Sequence, residues 1–117
     1  VTEAREAVKP WLVFYLGAMG AKGKNFYVDL ADRYGFGDAA RECQDRFLSG
    51  DRLGAAGALS DELIDVGAIA CTEDEVADRI AAYEAIGVDE IGAIPCGDAE
   101  MKERTIRALA AAVDTVA

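Results

Sequence analysis

The chain has 117 residues, enough for one domain with a modest core. Half of it is apolar (52%), and 22 acidic residues stand against 12 basic ones, a formal net charge of −10. That balance argues against nucleic acid and against an anionic membrane surface as partners, and no apolar run is long enough to span a bilayer. Thr2 is placed to cap a first helix, with Glu3 and Glu6 near its positive end. Val8, Trp11, Leu12, Tyr15, Leu16 and Met19 recur at helical spacing, so Trp11, Tyr15 and Leu16 are expected to be buried. A face of that size needs a large apolar partner surface, and a second copy of the chain could supply it. Pro10 falls inside the pattern and should kink the helix or begin a new one.

The run Gly17-Ala18-Met19-Gly20-Ala21-Lys22-Gly23-Lys24 ends this helix. Its glycines and lysines invite a phosphate-loop reading, which requires G-x-x-x-x-G-K-[ST] after a strand. Here the glycine spacing is one residue too long, Asn25 stands where Ser or Thr is needed, and a helix precedes. The simpler reading is a helix C-terminus with glycine stops and lysines near the negative dipole end. A functional reading keeps Gly20, Lys22, Lys24 and Asn25 as groups at the rim of a pocket, the lysines facing an anion.

Asn25 is then expected to cap a helix to Tyr34, with Phe26, Leu30 and Tyr34 inward. Gly35-Phe36-Gly37 breaks it, and Asp38 is the expected cap of a helix over 39–49 that carries Phe47 and Leu48. After Gly50, Asp51 opens a small-residue helix over 52–59. Ser60 or Asp61 then caps a short one over 62–66, with Leu63, Ile64 and Val66 on its apolar side. No internal repeat and no low-complexity linker is visible.

The stretch 68–98 organises the second part. Ala68-Ile69-Ala70-Cys71 is a short apolar run, with a short strand expected at about 69–71. Thr72 and Glu75 have the spacing of a capping box at the head of a helix whose inward residues are Val76, Ile80 and Tyr83. Gly87 is the expected stop. Ile91-Gly92-Ala93-Ile94-Pro95 reads as a buried strand, placed at about 90–94. Asp98 can cap a last helix over 100–116 with Ile106, Leu109, Val113 and Val116 on one stripe. Helix, tight turn, buried strand and helix make one repeat of a parallel α/β architecture. A buried strand needs neighbours on both edges, and the chain offers only 69–71. The chain therefore reads as a piece of something larger, as does its opening on Val1 inside a helical pattern.

Cys43, Cys71 and Cys96 are far apart, no Cys-x-x-Cys pair occurs, and there is no histidine. Zinc ligation has no ligand set to draw on, and histidine-dependent triads are excluded from this chain. Free buried thiols and a cytoplasmic location are the expectation, since no secretory signal is visible. The acidic pairs Asp61/Glu62, Asp89/Glu90 and Glu73/Glu75 have acid–base chemistry as one reading, but caps and solvated faces account for them.

Three segments together carry a resemblance: the run 9–27 beginning Lys9-Pro10-Trp11 and ending Asn25-Phe26-Tyr27, then Asp61-Glu62-Leu63-Ile64-Asp65, then 71–95. In this order they resemble the C-terminal part of luciferase-like oxidoreductases of the type that uses coenzyme F420, a deazaflavin hydride carrier. The first segment is the most specific. The resemblance implies the C-terminal part of a (β/α)₈ barrel, predominantly helical with one or two short strands. Residues 1–67 would be a helical insertion and 68–117 the last βα units, with strand 90–94 and a closing helix over 99–116. Barrel sites lie at the C-terminal ends of strands, which singles out Pro95, Cys96 and Gly97, in addition to the 20–25 loop. No catalytic residue of the family maps onto this chain. The implied activity is hydride transfer between F420 and a small organic substrate, with most of the cofactor bound by the earlier strands and this piece inactive alone. A flavin mononucleotide (FMN) monooxygenase segment and a non-enzymatic helical self-association domain are the alternatives.

Overall fold

A computed structural model describes residues 1–116, with side chains given to 114. Seven α-helices occur among the described residues: α1 (Thr2–Ala18), α2 (Phe26–Arg33), α3 (Gly37–Leu48), α4 (Arg52–Gly57), α5 (Asp61–Gly67), α6 (Val76–Ala85) and α7 (Ala99–Val116). A single 3₁₀ turn, Glu73–Glu75, leads into α6. The chain divides into two compact units, Val8–Ala68, and Val1–Ala7 with the residues from Ile69 onward.

Local chemistry sets the helix ends. Asp51 accepts from the Gly54 amide at 2.8 Å, Ser60 from Leu63 at 3.2 Å, and Asp98 from Met101 at 2.8 Å. Each supplies an acceptor to an amide that the helix leaves without an internal partner. Glu75 reaches back to the Thr72 amide at 3.1 Å, within the capping box. At Gly87, with φ +91°, the Val88 amide returns to the Tyr83 carbonyl at 3.1 Å and the Gly87 amide to Glu84 at 3.0 Å. That pair of bonds is the Schellman closure, and it needs a left-handed residue that only glycine adopts cheaply. Asp38 does not cap α3. The helix begins at Gly37 after Phe36, and the Asp38 carboxylate instead pairs with Arg41 at 2.9 Å.

In the unit Val8–Ala68, α2 packs on α3 and α3 on α4. The buried residues are Val13 and Leu16 of α1, Val28 and Ala31 of α2, Ala40 and Cys43 of α3, Ala55 of α4, and Leu63 and Ile64 of α5. Several inward assignments are corrected. On α1 the buried line is Val13, Leu16 and Gly17, while Trp11 is 41% exposed. At Gly17 a Cβ would run into the Phe47 ring, so the missing side chain admits Phe47 against this face of α1. On α2, Phe26 and Tyr34 are exposed and Val28 and Ala31 face inward. Val66, expected on the apolar side of its helix, is exposed as well, and so is Leu48. Pro10 lies within a continuous helix, to whose ladder it gives no N–H.

In the other unit α6 packs on α7. Val76 and Ile80 meet Ala112, with Cys71, Ala77, Ala108 and Leu109 around them. Small residues let the two helix backbones approach, so the Ala108–Ala112 side of α7 faces inward while Ile106 and Val113 are exposed. Tyr83 is exposed too. Arg104 of α7 holds Glu73 at 2.9 Å, an exposed pair that water and salt largely screen.

The expected strands at 90–94 and 69–71 are not formed: no strand occurs among the described residues. Ile91 and Ile94 are 41% and 62% exposed. A strand exists through its ladder, and neither run finds a neighbouring strand to hydrogen-bond with. The α/β repeat is thus present as its helices and its turn, without its sheet.

Candidate functional site

The loop 20–25 joins α1 to α2 and contains a hydrogen-bonded turn. The Lys24 amide donates to the Ala21 carbonyl at 3.0 Å, and Gly23 takes a φ of +77°. Gly20 is pressed against backbone: a Cβ there would lie 2.6 Å from the Lys24 carbonyl oxygen. Its own carbonyl accepts from the buried amide of Gln44, on α3, at 3.2 Å. Lys22 reaches the same helix and pairs with Asp45 at 3.0 Å, both groups more than half exposed. Lys24 is exposed.

Asn25 is the pivot of the loop and is 1% exposed. Its Oδ1 accepts from the Tyr27 amide at 2.9 Å and from Val28 at 3.2 Å, which caps α2. Its Nδ2 donates to the Leu16 carbonyl at 2.8 Å and to Tyr15 at 3.3 Å, which closes the C-terminal turn of α1. One side chain therefore terminates two helices, and its hydrogen-bonding capacity is committed to backbone.

Gly20, Lys22, Lys24 and Asn25 thus share one loop of the Val8–Ala68 unit. Cys96 and Gly97 belong to the other unit, just before α7. Gly97 has φ +99°, and the half-buried Cys96 thiol lies 3.5 Å from the Ile94 carbonyl. Burial raises that thiol's pKa, and the nearby Lys102 ammonium offsets the rise in part. A raised thiol is a weak nucleophile, so Cys96 is not activated here.

Gln44 is the residue that reading the sequence missed. It is 3% exposed and ties α3 to the loop across 24 positions. Its signal was available: Ala40, Cys43, Gln44 and Phe47 share the helical spacing of the buried face. The second feature missed is that Trp11, Phe14, Tyr15, Phe26 and Tyr27 form one connected aromatic group at the two ends of this loop.

The sequence pattern of luciferase-like monooxygenases matches residues 1–90. The chain belongs to the luciferase-like monooxygenase family. It is similar to a protein of Mycobacterium tuberculosis named "Putative coenzyme F420-dependent oxidoreductase", with 37% identity over 92 residues. That match covers 75% of this chain and 26% of the relative, so this luciferase-like chain spans about a quarter of the relative's length. No solved structure matches it. The family match takes in the 20–25 loop and stops short of Cys96 and Gly97. Among the described residues no helix is long and apolar enough to cross a membrane.

Proposed function

We propose that this chain is the C-terminal segment of an F420-dependent oxidoreductase that transfers a hydride between the deazaflavin and a small organic substrate. The observation that carries the reading is the 37% identity to the mycobacterial relative, whose name specifies that cofactor. Membership of the luciferase-like family agrees with it. When bound, the deazaflavin supplies the redox chemistry, and the protein supplies binding and orientation.

The residues present do not by themselves fit that cofactor. Asn25 has its amide engaged with backbone, and Lys22 is paired with Asp45. What the loop retains is an exposed Lys24 and a shared Lys22, a rim able to attract an anionic tail. No step of hydride transfer is therefore assigned to this chain. Gly20 and Asn25 fix the loop on which the lysines stand, and Cys96 and Gly97, in the other unit, are proposed separately as cofactor- or substrate-contacting groups. Exposed charge pairs are worth about 0–1 kcal/mol, so the chain alone should bind F420 weakly and lose it as salt rises. It should show no turnover. Its free cysteines agree with a reducing, cytoplasmic setting.

Two measurements test this. Titrating the 117-residue chain with F420, followed by deazaflavin fluorescence, should give weak, salt-sensitive association. Tight binding at high salt, or catalysis by the chain alone, would overturn the assignment to a partial site. Supplying reduced F420 and reduced FMN to a full-length protein containing this segment should give oxidation of F420. Preference for FMN would favour the monooxygenase reading that the family description carries.

A further inference from the structure

Among the described residues the buried polar side chains are Asn25 and Gln44, 1% and 3% exposed. Both spend hydrogen bonds on the 20–25 loop and the helix ends it joins. Asn25 acts from within the loop. Gln44 acts from outside it, reaching from α3 across 24 positions to the Gly20 carbonyl at 3.2 Å. Burying a side-chain amide costs free energy that its hydrogen bond does little more than offset. An apolar side chain of similar volume would fill this place, on the buried face with Ala40 and Cys43, without that cost. The amide adds what such a side chain lacks, a fixed direction for one loop carbonyl.

That constraint is passed on to the lysines. Gly20 lies so close to the returning chain that a Cβ on it would stand 2.6 Å from the Lys24 carbonyl oxygen and 3.1 Å from the Asn25 Cα. The Lys24 amide closes the turn on the Ala21 carbonyl at 3.0 Å. Holding the Gly20 carbonyl therefore holds the backbone from which Lys24 projects. The next residue of α3, Asp45, meets Lys22 at 3.0 Å, but both groups are more than half exposed. That tie is screened by water and salt and is readily exchanged.

We infer that Gln44 is a positioning residue, which through the Gly20 carbonyl sets the place at which Lys24 and Lys22 meet an anionic group. Asp45 shares Lys22 but does not hold the loop. The identity of that anion rests on the cofactor reading, in which it belongs to F420. Supporting a charged loop from a packed helix keeps its cations at a defined point, which a loop held by exposed charges alone does not achieve.

Two substitutions on adjacent residues, with opposite expected signs, test this. Gln44→Met keeps the volume and removes the donor. In the 117-residue chain, amide hydrogen exchange at Lys24 should quicken about fivefold or more, with the amides inside α2 and α3 unchanged. In a full-length protein containing this segment, KM for F420 should rise about three- to tenfold at unchanged kcat, as expected for lost binding rather than lost chemistry. Asp45→Asn, at an exposed position, should leave the exchange of the loop as it was and free Lys22, so KM for F420 should fall about twofold. Lys24→Ala separates the cofactor reading from the role of Gln44. If it leaves KM for F420 unchanged, the loop is no anion rim, and that result overturns the cofactor reading of the loop and the inference with it. If it raises KM while Gln44→Met does not, the result overturns the inference alone. Exchange quickened throughout α2 and α3 by Gln44→Met would show an ordinary core residue and would overturn it. Quickened loop exchange or a raised KM in Asp45→Asn would transfer the positioning to Asp45 and would equally overturn it.

Discussion

Replacing Asn25 tests the reasoning about the loop most directly. Asn25→Ala removes the acceptor for Tyr27 and Val28 and the donor to Leu16 and Tyr15, all from a side chain 1% exposed. Loss of an N-cap costs about 1 kcal/mol, and leaving a buried carbonyl such as that of Leu16 unsatisfied costs about 1–3 kcal/mol. Together the loss is about 3 kcal/mol, a large share of the ~5–15 kcal/mol that holds a domain folded. Asn25→Ser keeps an acceptor for α2 and gives up the long reach to α1, so it should recover only the capping part. Asn25→Asp keeps the acceptor but sets a carboxylate against the Leu16 and Tyr15 carbonyl oxygens. The protonated acid can donate to them, so its penalty should shrink as pH falls. Urea unfolding followed by far-UV circular dichroism measures all three variants. A loss under ~0.5 kcal/mol for Asn25→Ala, within the range of ordinary surface substitutions, would refute the account of Asn25 as a double terminator.

Further outcomes follow from single residues. Gly17→Ala drives a methyl group into the Phe47 ring and should cost about 1–3 kcal/mol by overpacking, read as a lower urea midpoint at unchanged slope. Gly87→Ala meets open space but must hold φ +91°, so it should cost about 1–2 kcal/mol through backbone strain alone. Burial pushes the Cys43 thiol up to about 11, so the unfolded chain releases that proton first as pH rises. The stability of the wild type relative to Cys43→Ala should therefore be intact below the ordinary thiol value near 8.5 and decline as pH climbs toward 11. Denaturant midpoints of the two chains across that window check it. A thiol reagent at neutral pH should correspondingly reach Cys43, which is fully buried, last among the three cysteines.

Helix ends were legible in the sequence because capping is short-range physics. Asn25, Asp51, Ser60 and Asp98 each bond an amide two or three residues ahead, and Gly87 closes a turn begun at Tyr83. Which face of a helix is buried was less legible. On α1 and α7, ranking by hydrophobic size favoured Trp11, Ile106 and Val113, but close approach is made by Gly17, Ala108 and Ala112. The smallest residues decide where two backbones can meet, and a count of large apolar side chains passes over them. The run 91–95 fails for a different reason. Its composition suits a buried strand, but a ladder is a relation between segments, and the described residues provide no second strand.

The site follows the same division between local and distant effects. The 20–25 loop was legible as a break with two cations, from its glycines and lysines alone. What those cations do depends on residues two dozen positions away. Asp45 takes up Lys22 and Gln44 holds the Gly20 carbonyl, and both stand on α3. Lys22 is thereby shared with Asp45, and meeting a ligand means exchanging one partner for another. Lys24 bears no such tie to α3 and is exposed. If the loop meets an anionic tail, the two lysines should therefore contribute unequally. Removing the Lys24 charge should weaken binding outright. Removing Lys22 leaves the Asp45 carboxylate unpaired beside the loop, so a locally neutral pair becomes an acidic spot that repels the anion.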